Sequence, residues 1–145
     1  MGQAFYKCKA IRSINLSSFD VSKVTNMSYM FEGCNNLAEL DLSSFHTSPV
    51  DNLQGMFQNC YGLKKVDISN FKTPKLNRMD YMFENCYSIL SIDLTGFTST
   101  NLTTLESAFA CCYSVKSINL SHLNTSKLVS LYRLFYCCYN LESLD

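Results

Sequence analysis

Six cysteines, Cys8, Cys34, Cys60, Cys86, Cys112 and Cys138, each follow the last at an interval of 26 residues. A period of this length marks a solenoid or an array, in which each copy is one supersecondary unit completed by its neighbours. The unit is clearest over Met30-Phe31-Glu32-Gly33-Cys34-Asn35-Asn36-Leu37-Ala38-Glu39-Leu40-Asp41-Leu42-Ser43-Ser44-Phe45. About five and a half copies fill residues 1–145, which we read as a single solenoid. Both ends fall inside a copy, and neither carries the polar cap that closes such arrays. The expectation is a fragment of a longer array.

Charge and hydropathy remove several functional classes. Twelve basic residues balance twelve acidic ones, with both signs scattered along the chain. A nucleic-acid surface needs a basic stripe, and none is written here. No apolar run reaches the length of a membrane span. No secretory leader opens the chain, and Tyr6 stands where a myristoylation start wants Ser or Thr.

Within one copy, Val24, Met27, Met30, Phe31 and Cys34 recur at helical spacing, which predicts an amphipathic helix. Ser48-Pro49 and Thr73-Pro74 read as its N-terminal signals. Gly33, Asn59 and Asn85 share one column at its end, where a left-handed cap is expected. Next comes Leu37-x-x-Leu40-x-Leu42, echoed by Leu63/Val66/Ile68, Ile89/Ile92/Leu94 and Val115/Ile118/Leu120. Leu40 and Leu42 alternate with Asp41, the pattern of a short half-buried strand. Strands separated in this way cannot form hairpins, so successive copies must stack in parallel. At about 4.8 Å per strand the stack is roughly 25–30 Å long.

The strand motif matches the leucine-rich-repeat signature. The longer pattern, Met-Phe-x-x-Cys-x-x-Leu-x-x-Leu-Asp-Leu-Ser-x-Phe-x-Thr-Ser-x-Val-x-x-Met, resembles the BspA-like family of leucine-rich-repeat surface proteins. It is followed most closely at residues 27–57 and 79–97, while Leu105, Ala108, Leu131 and Leu134 replace methionines further on. The resemblance implies an α/β solenoid with parallel strands on a concave side and short helices on a convex side. It also implies a microbial protein, at the cell surface or secreted, that binds host proteins, matrix or other cells. No binding motif of that family carries over to particular residues.

Six of the eight cysteines occupy one column on the apolar stripe, where free Cys packs as a small hydrophobe. Stacked Cβ atoms would run parallel at about 5 Å, whereas a disulfide wants roughly 3.8 Å. A ladder of free thiols is therefore expected. Cys111 and Cys137 fall in the Gly33/Asn59/Asn85 column, leaving open a bridge between them or a four-thiolate zinc site with Cys112 and Cys138. The zinc site lacks the usual C-x-x-C spacing. No cofactor is expected.

Two sets of columns are candidate contact surfaces. The first faces outward on the strands: Ser13/Glu39/Lys65/Ser91/Ser117, Asn15/Asp41/Asp67/Asp93/Asn119 and Ser17/Ser43/Ser69/Thr95/Ser121. Glu39, Asp41, Lys65, Asp67, Ser91, Asp93, Ser117 and Asn119 are its candidate ligand-binding residues. Stacked Asp41, Asp67 and Asp93 are unfavourable unless something compensates, whether local hydrogen bonds, a cation or a basic partner. The second set is Tyr61, Tyr87, Tyr113 and Tyr139, a column that either shields a corner of the coil or contacts a partner. Five sequons begin at Asn15, Asn26, Asn101, Asn119 and Asn124, as expected of a chain rich in Asn and Ser.

Enzymatic chemistry has little to work with. His46 and His122 lie in different columns almost three copies apart, and no phosphate-binding glycine motif occurs. Two readings remain: a recognition module binding a protein or glycan along the strands, and a spacer with no ligand of its own.

Overall fold

The computed structural model describes residues 1–145 as a stack of coils whose equivalent positions lie one above another. Five short strands follow in order: β1 (Glu39–Asp41), β2 (Lys65–Asp67), β3 (Ser91–Asp93), β4 (Ser117–Asn119) and β5 (Ser143–Leu144). All pairings are parallel and join residues 26 apart, Leu40 with Val66 and Ile92 with Ile118 among them. Leu40, Ile92 and Ile118 point into the core while their strand neighbours face out. The sheet is split, however: β1 pairs with β2, and β3, β4 and β5 form a separate group. At the split Val66, the smallest residue in its column, is only half-buried.

The predicted helix does not form, and no α-helix occurs in the chain. Residues 27–34 instead run as overlapping turns whose backbone donors alternate in direction. The N–H groups of Tyr29, Phe31 and Gly33 donate to the carbonyls of Gln54, Met56 and Gln58 in the next coil. Those of Met30, Glu32 and Cys34 donate three residues back, to Met27, Tyr29 and Phe31. Spacing supplies the physical reason. Packed helices need 8–10 Å between axes, whereas stacked strands sit about 4.8 Å apart. A helix of two turns is also marginal by itself. The turn wall keeps nearly the pitch of the strands, and every coil passes its hydrogen bonds to the next.

This wall requires left-handed backbone at two points per coil, four residues apart. Tyr29 and Gly33 have φ of 56° and 72°, Gly55 and Asn59 have 59° and 60°, and Tyr81 and Asn85 have 58° and 61°. Ser107, Cys111, Arg133 and Cys137 repeat the geometry. Asn59 and Asn85 do adopt the left-handed conformation expected of them, but inside a turn wall rather than at a helix end. Gly55 also leaves room for the Tyr29 ring, which packs where a Cβ would stand. The proline signals mark turns as well: Leu76 N–H donates to Thr73 O at 3.1 Å, with Pro74 between them. Thr47 is buried and bridges coils, its hydroxyl donating to Lys72 O at 3.2 Å.

Inside the wall the side chains form ladders. Phe5, Phe31, Phe57, Phe83, Phe109 and Phe135 stack in sequence with ring centroids 5.1–6.1 Å apart. They run through one cluster of 35 buried residues that extends from Leu16 to Leu123. Beside them five thiols of the 26-residue series, all but Cys8, donate to the phenylalanine carbonyl of the preceding coil. Cys34, Cys60, Cys86, Cys112 and Cys138 reach Phe5, Phe31, Phe57, Phe83 and Phe109 at 3.1–3.2 Å. All eight cysteines are free. A small side chain with a weak donor fits a site that is apolar yet presents a carbonyl lone pair.

Phe83 packs between Phe57 and Phe109, so Phe83→Ala should destabilise the chain by about 3–5 kcal/mol, read from urea denaturation. Burial raises the Cys34 thiol to about 11 and moves Cys60, Cys86 and Cys112 upward as well. Unfolded thiols ionise near 8.5, so this stability is complete below that pH and is lost as pH rises above it. The three deepest thiols, Cys60, Cys86 and Cys112, should together cost up to roughly 4 kcal/mol per pH unit there. The melting temperature should fall steeply between pH 8 and 10, and less steeply in Cys86→Val.

Candidate functional site

The split in the sheet divides the outward strand columns. On the β1–β2 side a shallow groove of about 370 Å³ is lined by Ser13, Ile14, Glu39, Leu40, Asp41, Lys65 and Asp67. A second depression of about 280 Å³ continues it through Asn15, Ser17, Asp41 and Ser43. Ser91, Asp93, Ser117 and Asn119 lie on β3 and β4, outside both. Four of the eight strand-face candidates are thus brought into one concavity and four are not.

The aspartate column meets its like-charge problem through the backbone. Asp41 Oδ1 accepts from the Ser43 N–H at 2.9 Å, Asp67 from Ser69 at 3.1 Å and Asp93 from Thr95 at 2.9 Å. Asn15 and Asn119 hold the same turn at 3.0 Å, so the charge is not essential to it. Each side chain closes an Asx turn that ends its strand and reverses the chain. The Ser43 hydroxyl and N–H hold the Asp41 carboxyl below the usual range. One carboxylate oxygen per residue is spoken for by the fold.

Glu39 and Lys65 are free of such duties. Both are exposed, and the two ion pairs of the chain lie elsewhere, Arg78 with Asp80 and Lys116 with Glu142. The groove therefore presents two acidic side chains, a lysine and a half-buried Asp67 over an apolar floor of Ile14 and Leu40. It is open and shallow, unlike the enclosed pocket an active site needs. No group of three His, Cys, Asp or Glu residues stands close enough to hold a metal ion. No helix is long and apolar enough to cross a membrane.

Tyr61, Tyr87, Tyr113 and Tyr139 stack face to face at 4.8, 4.7 and 5.6 Å. Their faces are consumed by one another, so only ring edges, hydroxyls and the end rings meet solvent. Tyr139 in the last coil is 76% exposed. The His122 ring nitrogen Nδ1 lies 3.0 Å from Thr95 O, and His46 stands apart from it.

Sequence reasoning missed a polar cluster on the turn wall. Asp80 is 3% exposed, and its Oδ2 takes both Arg78 Nε and Nη2 at 3.1 Å. Its Oδ1 is buried without a partner. Next to it the Tyr81 hydroxyl donates to Glu106 at 2.7 Å. The available signal is that Arg78 interrupts a column otherwise held by Asn26, Asn52, Thr104 and Ser130. Each of those four side chains accepts the backbone N–H two residues on, which arginine cannot do.

A protein-family model described as a Mycoplasma protein of unknown function, DUF285, matches residues 1–117. This match fits the BspA-like repeat pattern. No curated protein matches the chain. Among solved structures, a leucine rich cell surface protein from Faecalibacterium prausnitzii A2-165 is similar at 16% identity and a TM-score of 0.49. The alignment covers 83% of this chain and 36% of that one, so the chain spans little more than a third of that protein's length.

Tyr87 has a stacking partner on each face, and each such pair contributes about 0.5–1.5 kcal/mol beyond burial. Tyr87→Ser should therefore lower stability by roughly 1–3 kcal/mol in a denaturant titration. Tyr139→Ser, with one partner, should cost about half as much.

Proposed function

We propose, from the premise that this chain belongs to the DUF285 family, that it is a non-enzymatic recognition module of a microbial surface protein. Its ligand is a protein or glycan, held along the outer strand face. The observation that carries this reading is the groove over β1 and β2, where Glu39 and Lys65 face solvent without an ion-pair partner in the chain. A rigid backbone, an apolar floor and unpaired charges of both signs suit a polar, neutral or zwitterionic surface. The tyrosine column is a secondary contact strip, contributing hydroxyls and ring edges rather than ring faces.

A spacer without a ligand is the second reading. It is supported by the aspartate column, whose conspicuous acidic row has a complete structural role in closing turns.

The test is a binding screen of the chain against matrix proteins, mucins and a glycan array. Recognition predicts a ligand whose affinity falls roughly tenfold or more in Glu39→Lys and Lys65→Glu, at an unchanged melting temperature. Binding that ignores both reversals, or silence across the whole panel, favours the spacer.

A further inference from the structure

Cys111 and Cys137 stand apart from the other six thiols. They occupy the column of Gly33, Asn59 and Asn85 on the flank of the turn wall, one directly after the other in neighbouring coils. In this column side chains of adjacent coils already touch: Asn85 Nδ2 donates to Asn59 Oδ1 at 2.8 Å. Cys111 and Cys137 fall one coil apart in the same column and with the same backbone conformation. Their φ angles are 59° and 60°, so the two Cα–Cβ bonds leave the backbone in the same sense. Both side chains are half-buried, whereas Cys60, Cys86 and Cys112 are sealed and committed to phenylalanine carbonyls.

We propose that Cys111 and Cys137 are a redox-responsive pair, free when reduced and bridged by a disulfide when oxidised, which fastens the last coil to the one before it. Coils about 4.8 Å apart satisfy the Cα spacing of a disulfide, and the Cβ atoms must close by about 1 Å. This flank can supply that movement, because both side chains are only half-buried and neither thiol is committed to a backbone carbonyl. The inner thiols cannot, since closing any pair would break two thiol–carbonyl bonds within a packed core. The Tyr139 hydroxyl donates to Cys137 Sγ at 3.0 Å, which holds that thiol on the flank of its rung of the tyrosine stack.

The oxidant is a small-molecule disulfide, and the chemistry is exchange. The Cys137 thiolate attacks one sulfur of the reagent, forming a mixed disulfide and expelling one thiolate. The Cys111 thiolate then attacks the Cys137 sulfur, forming the intramolecular bond and expelling the second. The protein loses two electrons and the two thiol protons; the reagent gains both and leaves as two thiols.

The experiment treats the chain with excess oxidised glutathione, then alkylates it in denaturant and maps peptides by mass spectrometry. The expected result in the wild type is six alkylated cysteines and one link; the link persists in Cys112→Ala, with five alkylated, and is absent from Cys111→Ser and Cys137→Ser. Oxidation should raise the melting temperature by about 5–10 °C in the wild type only, and dithiothreitol should reverse it. Amide exchange of residues 129–145 should slow in the bridged form. Eight alkylated cysteines after oxidation, or a link that survives Cys111→Ser, would overturn the proposal.

Discussion

The backbone hydrogen bond from one coil to the next is the interaction on which everything else in this chain depends. It links residues 25 apart on the turn wall, where Phe31 N–H donates to Met56 O and Phe57 N–H to Met82 O. On the strand side residues 26 apart face each other in register, joined by bonds such as Leu42 N–H to Asp67 O and Lys65 N–H to Ala38 O. Once these bonds hold both walls near the same pitch, like must stack on like. The phenylalanine, tyrosine and thiol ladders are consequences of that geometry, each occupying a spacing the backbone has already set.

Much of this was legible from the period alone. Equivalent turns, parallel pairing, and the inward set of Phe31, Cys34, Leu37, Leu40 and Leu42 all follow from rows that repeat at a fixed interval. The helix expectation fails for a definite reason. Met27, Met30, Phe31 and Cys34 sit at spacings of three and four, which serve a helix and a run of overlapping four-residue turns equally well. The distinguishing sign lies in the left-handed positions. Gly55 and Asn59, four apart, mark two points in one segment where φ must be positive, and a right-handed helix has room for neither. Tyr81, Ser107 and Arg133 accept the same conformation without advertising it, because the stacked wall enforces what their own chemistry does not favour.

The candidate groove was only half legible. Its outward residues follow from alternation in the strands, but its limits do not, since nothing in a column of Leu40, Val66 and Ile92 announces that pairing fails between β2 and β3. The aspartates and the Glu39 and Lys65 positions are equal candidates in the sequence, yet the aspartates are committed to turns whereas Glu39 and Lys65 are not. Asp80 shows the reverse case. Its burial beside Arg78 arises because one coil departs from its column, and a departure is visible only once the column is known.

The near-equal pitch of the two walls has a consequence for what such a chain is good for. One coil of 26 residues advances the stack by only about 5 Å, against roughly 39 Å for the same residues drawn out as a single helix. A design of this kind is a poor way to cover distance. Its yield is breadth: each added coil lays down another stripe of side chains beside the last, at molecular-contact spacing. A tethering rod would be built from something longer and thinner, whereas a tiled panel whose tiles can be exchanged singly would be built like this.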